Sequence, residues 1–148
     1  MRATDSSPPV RILVADDNPG DVRLILEVLQ ESKIANQVDV VRDGVEAMEH
    51  LRQTGGHAGA QRPVLVLLDL SMPRKDGREV LAEIKDDADL RRIPVIIMTT
   101  SAADEDVILA YDNHANCYIR KPVDFEQLRS VVQKIESFWF TVVTLPSH

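Results

Sequence analysis

The sequence predicts an α/β fold in which five parallel strands form a doubly wound sheet. Two observations predict it. Short apolar runs typical of strands alternate with segments whose apolar residues recur every three or four positions, as they do on one face of a helix. Three of the runs are continuously apolar, which a parallel sheet covered by helices on both faces requires. Repeated strand–helix units of this kind connect by right-handed crossovers and build one sheet.

Each predicted element follows from its residues. Short runs rich in Val, Ile and Leu, bounded by polar or turn-forming residues, are typical of strands. The five strands are 11–15, 37–41, 64–68, 94–99 and, with a weaker pattern, 115–120. Four sets of apolar residues at helical spacing predict a helix in each gap between strands. The sets are Val22, Ile25, Leu26 and Leu29, then Val45, Met48 and Leu51, then Val80, Leu81 and Ile84, then Val107, Ala110 and Tyr111. A fifth helix is predicted from Phe125, and a long loop over residues 53–63.

Length, charge and composition limit the classes of function. The 148 residues, of which 44 % are hydrophobic, suit one domain with a complete core. A net charge of −7 would repel phosphate backbones, so we expect no nucleic-acid partner. The single cysteine excludes an internal disulfide and suits a reducing compartment. No apolar run is long enough to span a membrane and none resembles a signal peptide, so we expect a soluble, cytoplasmic protein without a membrane partner.

The residues at the strand ends carry the chemistry. In a doubly wound sheet, ligands bind outside the carboxyl ends of the strands, because the strand-to-helix loops converge there. The first strand ends at Asp16 and Asp17, the third at Asp69, the fourth at Thr99 and the fifth at Lys121. We therefore expect three carboxylates, a hydroxyl and an ammonium group to gather at one edge of the sheet.

This set of groups favours a metal-dependent reaction of a phosphoryl group. Three neighbouring carboxylates resist ionising together unless a cation neutralises them. Oxygen ligands without His or Cys favour a hard divalent ion, Mg²⁺ or Mn²⁺, that keeps part of its water shell. Lys121 then suits one anionic oxygen and Thr99 another. Each aspartate alone could be a turn or N-cap residue, but together at successive strand ends they indicate phosphoryl transfer to Asp69.

The same residues resemble the receiver domains of two-component response regulators. Four motifs match that family in order over residues 10–136, namely DD, DLSMPRKDG, MTTS and YIRKP. The resemblance implies the flavodoxin-like (βα)5 receiver fold with strand order 2-1-3-4-5. A finer resemblance, to the small stand-alone regulators that work with bacterial and cyanobacterial phytochrome histidine kinases, is carried by DDNPGDVRLI, PRKDGREVLAEIK, RRIPVIIMTTS and IESFWFTVVTLP.

The resemblance implies how a phosphoryl group and a metal ion would be held. Asp69 would accept the phosphoryl group from a phosphohistidine of the sensor histidine kinase. Lys121 would pair with one phosphoryl oxygen. Asp17 and Asp69 would bind Mg²⁺ through their carboxylates, Ser71 through its backbone carbonyl and Asp16 through water. The protein would thus catalyse only its own phosphorylation and dephosphorylation.

The resemblance also implies a conformational switch behind the site. The Thr99 hydroxyl would move to bond the modified Asp69. Tyr118 stands where the family keeps an aromatic side chain that turns inward behind this threonine. The peptide bond between Lys121 and Pro122 would be cis, which proline tolerates far better than other residues. A protein contact surface, with an unknown downstream protein, would read the change.

Other interpretations of these residues were weighed. An aspartate-nucleophile phosphatase usually carries a second Asp where Ser71 stands, and a degenerate receiver acting as a constitutive interaction module would lack Asp69, Asp17 or Lys121. Residues 18–21 are typical of a helix start with Asp near N3, and Asn18 is either its N-cap or a site residue. The histidines are scattered, so we expect solvated surface residues rather than metal ligands at His50, His57, His114 and His148.

The chain ends differ from the domain between them. We expect residues 1–9 to be disordered, 10–136 to form the receiver domain and 137–148 to form a C-terminal extension. Three consecutive aromatic residues near the end would point about 100° apart on a helix, so no single contact within the monomer can bury all of them. The predicted homodimer contact consists of Phe138, Trp139, Phe140 and Val142. The alternative is that the last turns fold back over the sheet edge of their own domain. The β-branched run 141–144 favours an extended end.

Overall fold

The computed structural model describes residues 10–32, 35–57, 59, 62–99, 115–121 and 124–144. Five parallel strands form one sheet in the order β2-β1-β3-β4-β5. The strands are β1 (Val10–Ala15), β2 (Asn36–Val41), β3 (Leu65–Asp69), β4 (Val95–Thr99) and β5 (Ala115–Arg120). The predicted fold and strand order are confirmed, and each strand begins and ends within one residue of its predicted bounds.

Four helices lie in the described part of the chain. They are α1 (Pro19–Gln30), α2 (Gly44–Arg52), α3 (Gly77–Asp86) and α4 (Phe125–Thr144), with short 3₁₀ helices at Gly55–His57 and Leu90–Arg92. The predicted helix that includes Val107, Ala110 and Tyr111 lies outside the described residues, as do 1–9 and 145–148. None of the described helices is long and apolar enough to cross a membrane.

The core has two layers because successive strand residues point to opposite faces of the sheet. On β1, Ile12 and Val14 pack in one hydrophobic cluster with residues of α1 and α4. Leu13 and Ala15 pack in the other cluster with residues of α2 and α3. All five residues of β3 are buried, as a central strand covered on both faces requires.

Each of the helices α1 to α4 is preceded by a polar side chain that caps free N–H groups of its first turn. The Asn18 side-chain oxygen Oδ1 accepts the Asp21 N–H at 3.0 Å, so Asn18 is the N-cap of α1. Asp43 caps α2 and Asp76 caps α3, the latter in a capping box with Glu79. The caps fix the helix starts next to the strand ends, which is where the predicted site residues lie.

The last helix departs from the expectation of an extended end. α4 continues as a helix through Thr144, so the prediction for 141–144 was wrong. β-branched residues lower helix propensity only slightly, and a helix already running for four turns propagates through them. α4 therefore crosses the expected boundary at residue 136 without interruption.

Candidate functional site

Three carboxylates meet at the carboxyl edge of the sheet. Asp16 and Asp17 directly follow β1, and Asp69 is the last residue of β3. Because β1 pairs with β3 in a register that sets Ala15 opposite Leu68, Asp16 and Asp69 come level. One oxygen from each of the three carboxylates lies within 4.8 Å of the others. Asp16 and Asp69 are buried and Asp17 is exposed, so the cluster opens to solvent on one side.

Local turns fix two of these carboxylates. Asp16 Oδ1 accepts the Asn18 N–H at 2.8 Å, and Asp69 Oδ1 accepts the Ser71 N–H at 3.0 Å. Each aspartate thus binds the backbone two residues ahead, which is the local bond typical of Asp in turns. The second oxygen of each is left for other partners. Among the described residues, Asp16 Oδ2 is buried and has no hydrogen-bond partner.

Lys121 follows β5 and extends over this cluster. Its Nζ lies 2.8 Å from Asp21 Oδ2, 3.0 Å from Asp69 Oδ2 and 3.4 Å from Asp16 Oδ2. Burial lowers the pKa of Lys121, but the hydrogen bonds to Asp21 and Asp69 and the charge of Asp16 outweigh burial and raise the pKa above its ordinary value. The ammonium group is therefore charged at any physiological pH.

The charge on Asp16 is costly without a cation. Burial is the main cause that raises the pKa of Asp16, from 3.8 to about 6, and the negative charges of Asp69 and Asp21 add to it. The Asn18 N–H and the charge of Lys121 lower that pKa only in part. Carboxylate oxygens are the ligands that hard divalent cations prefer. Asp16 Oδ2, which is buried and accepts no hydrogen bond within the described residues, and the two neighbouring carboxylates therefore fit such a cation.

The remaining predicted site residues are placed by backbone alone. Thr99 is the last residue of β4, and Tyr118 lies on β5 opposite Ile97. The side chains of Thr99 and Tyr118 lie outside what the structure describes. Pro122 lies outside the described residues, so the predicted cis bond stays a prediction. Ser71 is exposed directly beside the cluster.

Sequence reasoning missed the contact of Asp21. This residue was assigned only to the first turn of α1, yet its carboxylate makes the shortest of the three contacts to Lys121. The signal was that α1 starts directly after the end of β1, so its first turn, which includes Asp21, stays close to that strand end.

One histidine was also misjudged. His50 is only 3 % exposed, and its Nε2 lies 3.3 Å from Asp39 Oδ2, so the prediction of a solvated surface residue was wrong for His50. The side chain of His57 lies outside what the structure describes, as do the residues His114 and His148.

Comparison with known proteins identifies the family. Residues 12–133 match the model of the response regulator receiver domain. The chain belongs to that family. The predicted resemblance is therefore confirmed, and this receiver is a signalling protein whose upstream partner is a histidine kinase.

The receiver is similar to characterised phytochrome regulators. Response regulator Rcp1 of Synechocystis sp. is 50 % identical over 143 residues, covering 97 % of this chain and 97 % of that protein. The crystal structure of the Mn²⁺-bound form of Rcp1 has a TM-score of 0.77 and covers 94 % of this chain and 100 % of that chain. The phosphorylated cyanobacterial phytochrome response regulator RcpA is 51 % identical, with a TM-score of 0.77, and covers 95 % of this chain and 100 % of that chain.

Proposed function

We propose that this receiver is a stand-alone response regulator that takes a phosphoryl group onto Asp69 from a phosphohistidine of a phytochrome-type histidine kinase. The observation that carries the proposal is the arrangement around Asp69. Its carboxylate is held by the Ser71 N–H at 3.0 Å and by the Lys121 ammonium group at 3.0 Å. The similarity to Rcp1 and to phosphorylated RcpA supports the same reaction and the same class of kinase.

The reaction exchanges one phosphorus bond for another. The P–N bond of the phosphohistidine breaks, its electron pair stays with the imidazole, which takes up a proton, and a P–O bond to an Asp69 carboxylate oxygen forms. The Ser71 N–H orients the carboxylate before the transfer. Lys121 turns one of its three N–H donors to a phosphoryl oxygen and stabilises the negative charge there.

A divalent cation, Mg²⁺ or Mn²⁺, belongs to this function. Asp17 and Asp69 would hold it through their carboxylates, Ser71 through its backbone carbonyl and Asp16 through water. The burial of Asp16 with an unpartnered oxygen and the Mn²⁺-bound form of Rcp1 support this assignment. When bound, the cation neutralises charge on the carboxylates and on the phosphoryl oxygens.

Phosphorylation is read through a switch in the neighbouring strands. The Thr99 hydroxyl bonds a phosphoryl oxygen, and the Tyr118 ring fills the space behind it. Their backbone positions support this role, since Thr99 ends β4 and Tyr118 lies on the adjacent strand β5. The altered surface then binds a downstream protein in the cytoplasm.

The C-terminal extension, residues 137–148, joins two chains into a homodimer. Its predicted contact residues are Phe138, Trp139, Phe140 and Val142. α4 supports the proposal because it continues through Thr144, beyond the receiver match that ends at residue 133. Isologous pairing about a two-fold axis is the commonest way to bury such a segment.

Phosphorylation at Asp69 is tested with Mg²⁺ and acetyl phosphate, followed by hydroxylamine. Wild-type protein should gain an acyl phosphate, and hydroxylamine should remove it. Asp69→Asn keeps the size of the side chain but should abolish labelling, whereas Glu126→Gln, an exposed site on α4, should label as wild type does. Persistent label on Asp69→Asn would assign the acceptor elsewhere. A light-regulated phytochrome kinase labelled on its histidine should transfer the label to the wild-type receiver.

A further inference from the structure

We infer that Asp21 is a positioning residue that anchors the Lys121 ammonium group for phosphoryl transfer to Asp69. The inference rests on the proposed function and assigns a role to a residue on α1. Asp21 Oδ2 lies 2.8 Å from Lys121 Nζ, and the two side chains are only 19 % and 11 % exposed. An ion pair so sheltered from water is screened far less than a surface pair.

Asp21 is held in place independently of the acidic cluster. Its backbone N–H donates to the Asn18 side chain at 3.0 Å, and Pro19 precedes it in the first turn of α1. Two buried residues of the same helix, Ile25 and Val28, belong to the core cluster that includes α4. Asp21 therefore lies on a helix that is packed against the core. The ammonium group of Lys121, in contrast, is at the end of a flexible four-carbon side chain.

The three contacts of Lys121 differ in what phosphorylation does to them. Its ammonium group has three donors and lies 2.8 Å from Asp21 Oδ2, 3.0 Å from Asp69 Oδ2 and, at the limit of hydrogen bonding, 3.5 Å from Asp16 Oδ1. The donor that faces Asp69 must turn to the phosphoryl group. The oxygens of Asp16 belong to the cation site. Asp21 alone among the three is neither acceptor nor cation ligand, so its contact can persist throughout the reaction.

The absence of this anchor has a definite consequence. Asp16 Oδ2 accepts no hydrogen bond within the described residues, although Lys121 Nζ lies only 3.4 Å from it, so a released ammonium group would close on this oxygen. Lys121 would then shift toward Asp16. This shift would take an N–H donor away from the phosphoryl group and would place the positive charge of the ammonium group in the cation site. Asp21→Asn should therefore slow phosphorylation and weaken Mg²⁺ binding together.

Charge alone predicts the opposite effect on rate. Removing a carboxylate from a site that must admit an anionic phosphodonor lowers the repulsion of that donor. If Asp21 acted only through its charge, Asp21→Asn would therefore be phosphorylated faster than the wild type. If Asp21 positions Lys121, the maximal phosphorylation rate of Asp21→Asn with acetyl phosphate should be about tenfold lower than that of the wild type. This is the size of effect expected for the loss of one charge-assisted hydrogen bond. Asp21→Glu restores a carboxylate and should recover part of that rate. Glu27→Gln removes an equal charge from the exposed face of α1 and should react as wild type does.

A double-mutant cycle with Lys121→Met decides whether Asp21 acts through Lys121. In the Lys121→Met background, Asp21→Asn should leave both the phosphorylation rate and the Mg²⁺ affinity measured by calorimetry almost unchanged. Equal losses in both backgrounds would overturn the inference. Calorimetry needs no phosphoryl transfer. A wild type that binds Mg²⁺ but takes no phosphate would therefore refute the proposed function, while the Mg²⁺ cycle would still decide the role of Asp21.

Discussion

Gly77, the first residue of α3, lies directly against the backbone of Asp69. A Cβ atom built on Gly77 would overlap the Asp69 carbonyl oxygen and lie 2.6 Å from Leu70 Cα. The Gly77 N–H donates to the Leu70 carbonyl at 3.0 Å. The missing side chain thus lets the start of α3 close on the strand end that carries the proposed phospho-acceptor.

Gly77→Ala should destabilise the fold by about 1 to 3 kcal/mol, because the overlap is with backbone atoms that cannot rotate away. Urea denaturation measures this free energy of unfolding. Gly56→Ala is the matched control, since no described atom lies within 4 Å of a Cβ there. Equal stability of the two variants would show that α3 can move away from Asp69.

The acidic cluster should bind Mg²⁺ in a manner that depends on Asp17. Asp17→Ala removes an exposed carboxylate from the cluster and should lower the Mg²⁺ affinity at least about tenfold. Loss of even a group that only supports a metal ligand lowers affinity by about this much. Glu27→Ala, on the exposed face of α1, should bind as wild type does in the same calorimetric titration. Mg²⁺ binding that ignores Asp17 would contradict the proposed cation site.

Stability without a metal should depend on the protonation of Asp16. The pKa of Asp16 is raised from 3.8 to about 6 in the folded state, so between these values the folded chain holds a proton that the unfolded chain releases. Stability contributed by this group therefore falls as pH rises from about 4 to 6, and the penalty is complete above that window.

Asp16→Asn keeps the bond from the Asn18 N–H but cannot ionise. In EDTA at pH 7.5 it should be about 1 to 3 kcal/mol more stable than the wild type, and near pH 4 the difference should vanish. Urea denaturation at both pH values checks this. A gain in stability of the same size at pH 4 and pH 7.5 would mean that ionisation of Asp16 is not the cause.

The full chain should run as a dimer at micromolar concentration in sedimentation experiments. Trp139→Glu places a charge in the proposed contact and should give a folded monomer that still accepts phosphate, because burying an unpaired carboxylate costs several kcal/mol. Deletion after Glu136 should have the same result. Gln133→Glu adds the same charge at an exposed position on α4 and should leave the dimer intact. A wild-type monomer would remove the dimer proposal.

The sequence predicted those features of the fold that depend on residues close together in the chain. The buried strands are continuous apolar runs, so their limits were correct to one residue, and parallel pairing then had to bring Asp16 and Asp69 to the same edge. Contacts between distant segments were not predictable in this way. The partner of Asp21 depends on how α1 packs near the end of β5, and the burial of His50 depends on its approach to Asp39 across the β2–α2 connection.

The length of α4 determines how far its end would move if the helix tilted near the site. Lys121 lies only four residues before the first residue of this helix, which has 20 residues and so extends for about 30 Å. A tilt of about 5° around Phe125 would move Leu128 by about 0.4 Å but Thr144 by about 2.5 Å, taking the helix as a rigid rod with a rise of about 1.5 Å per residue. A tilt of this kind would therefore be small next to the core and several times larger at the far end of α4.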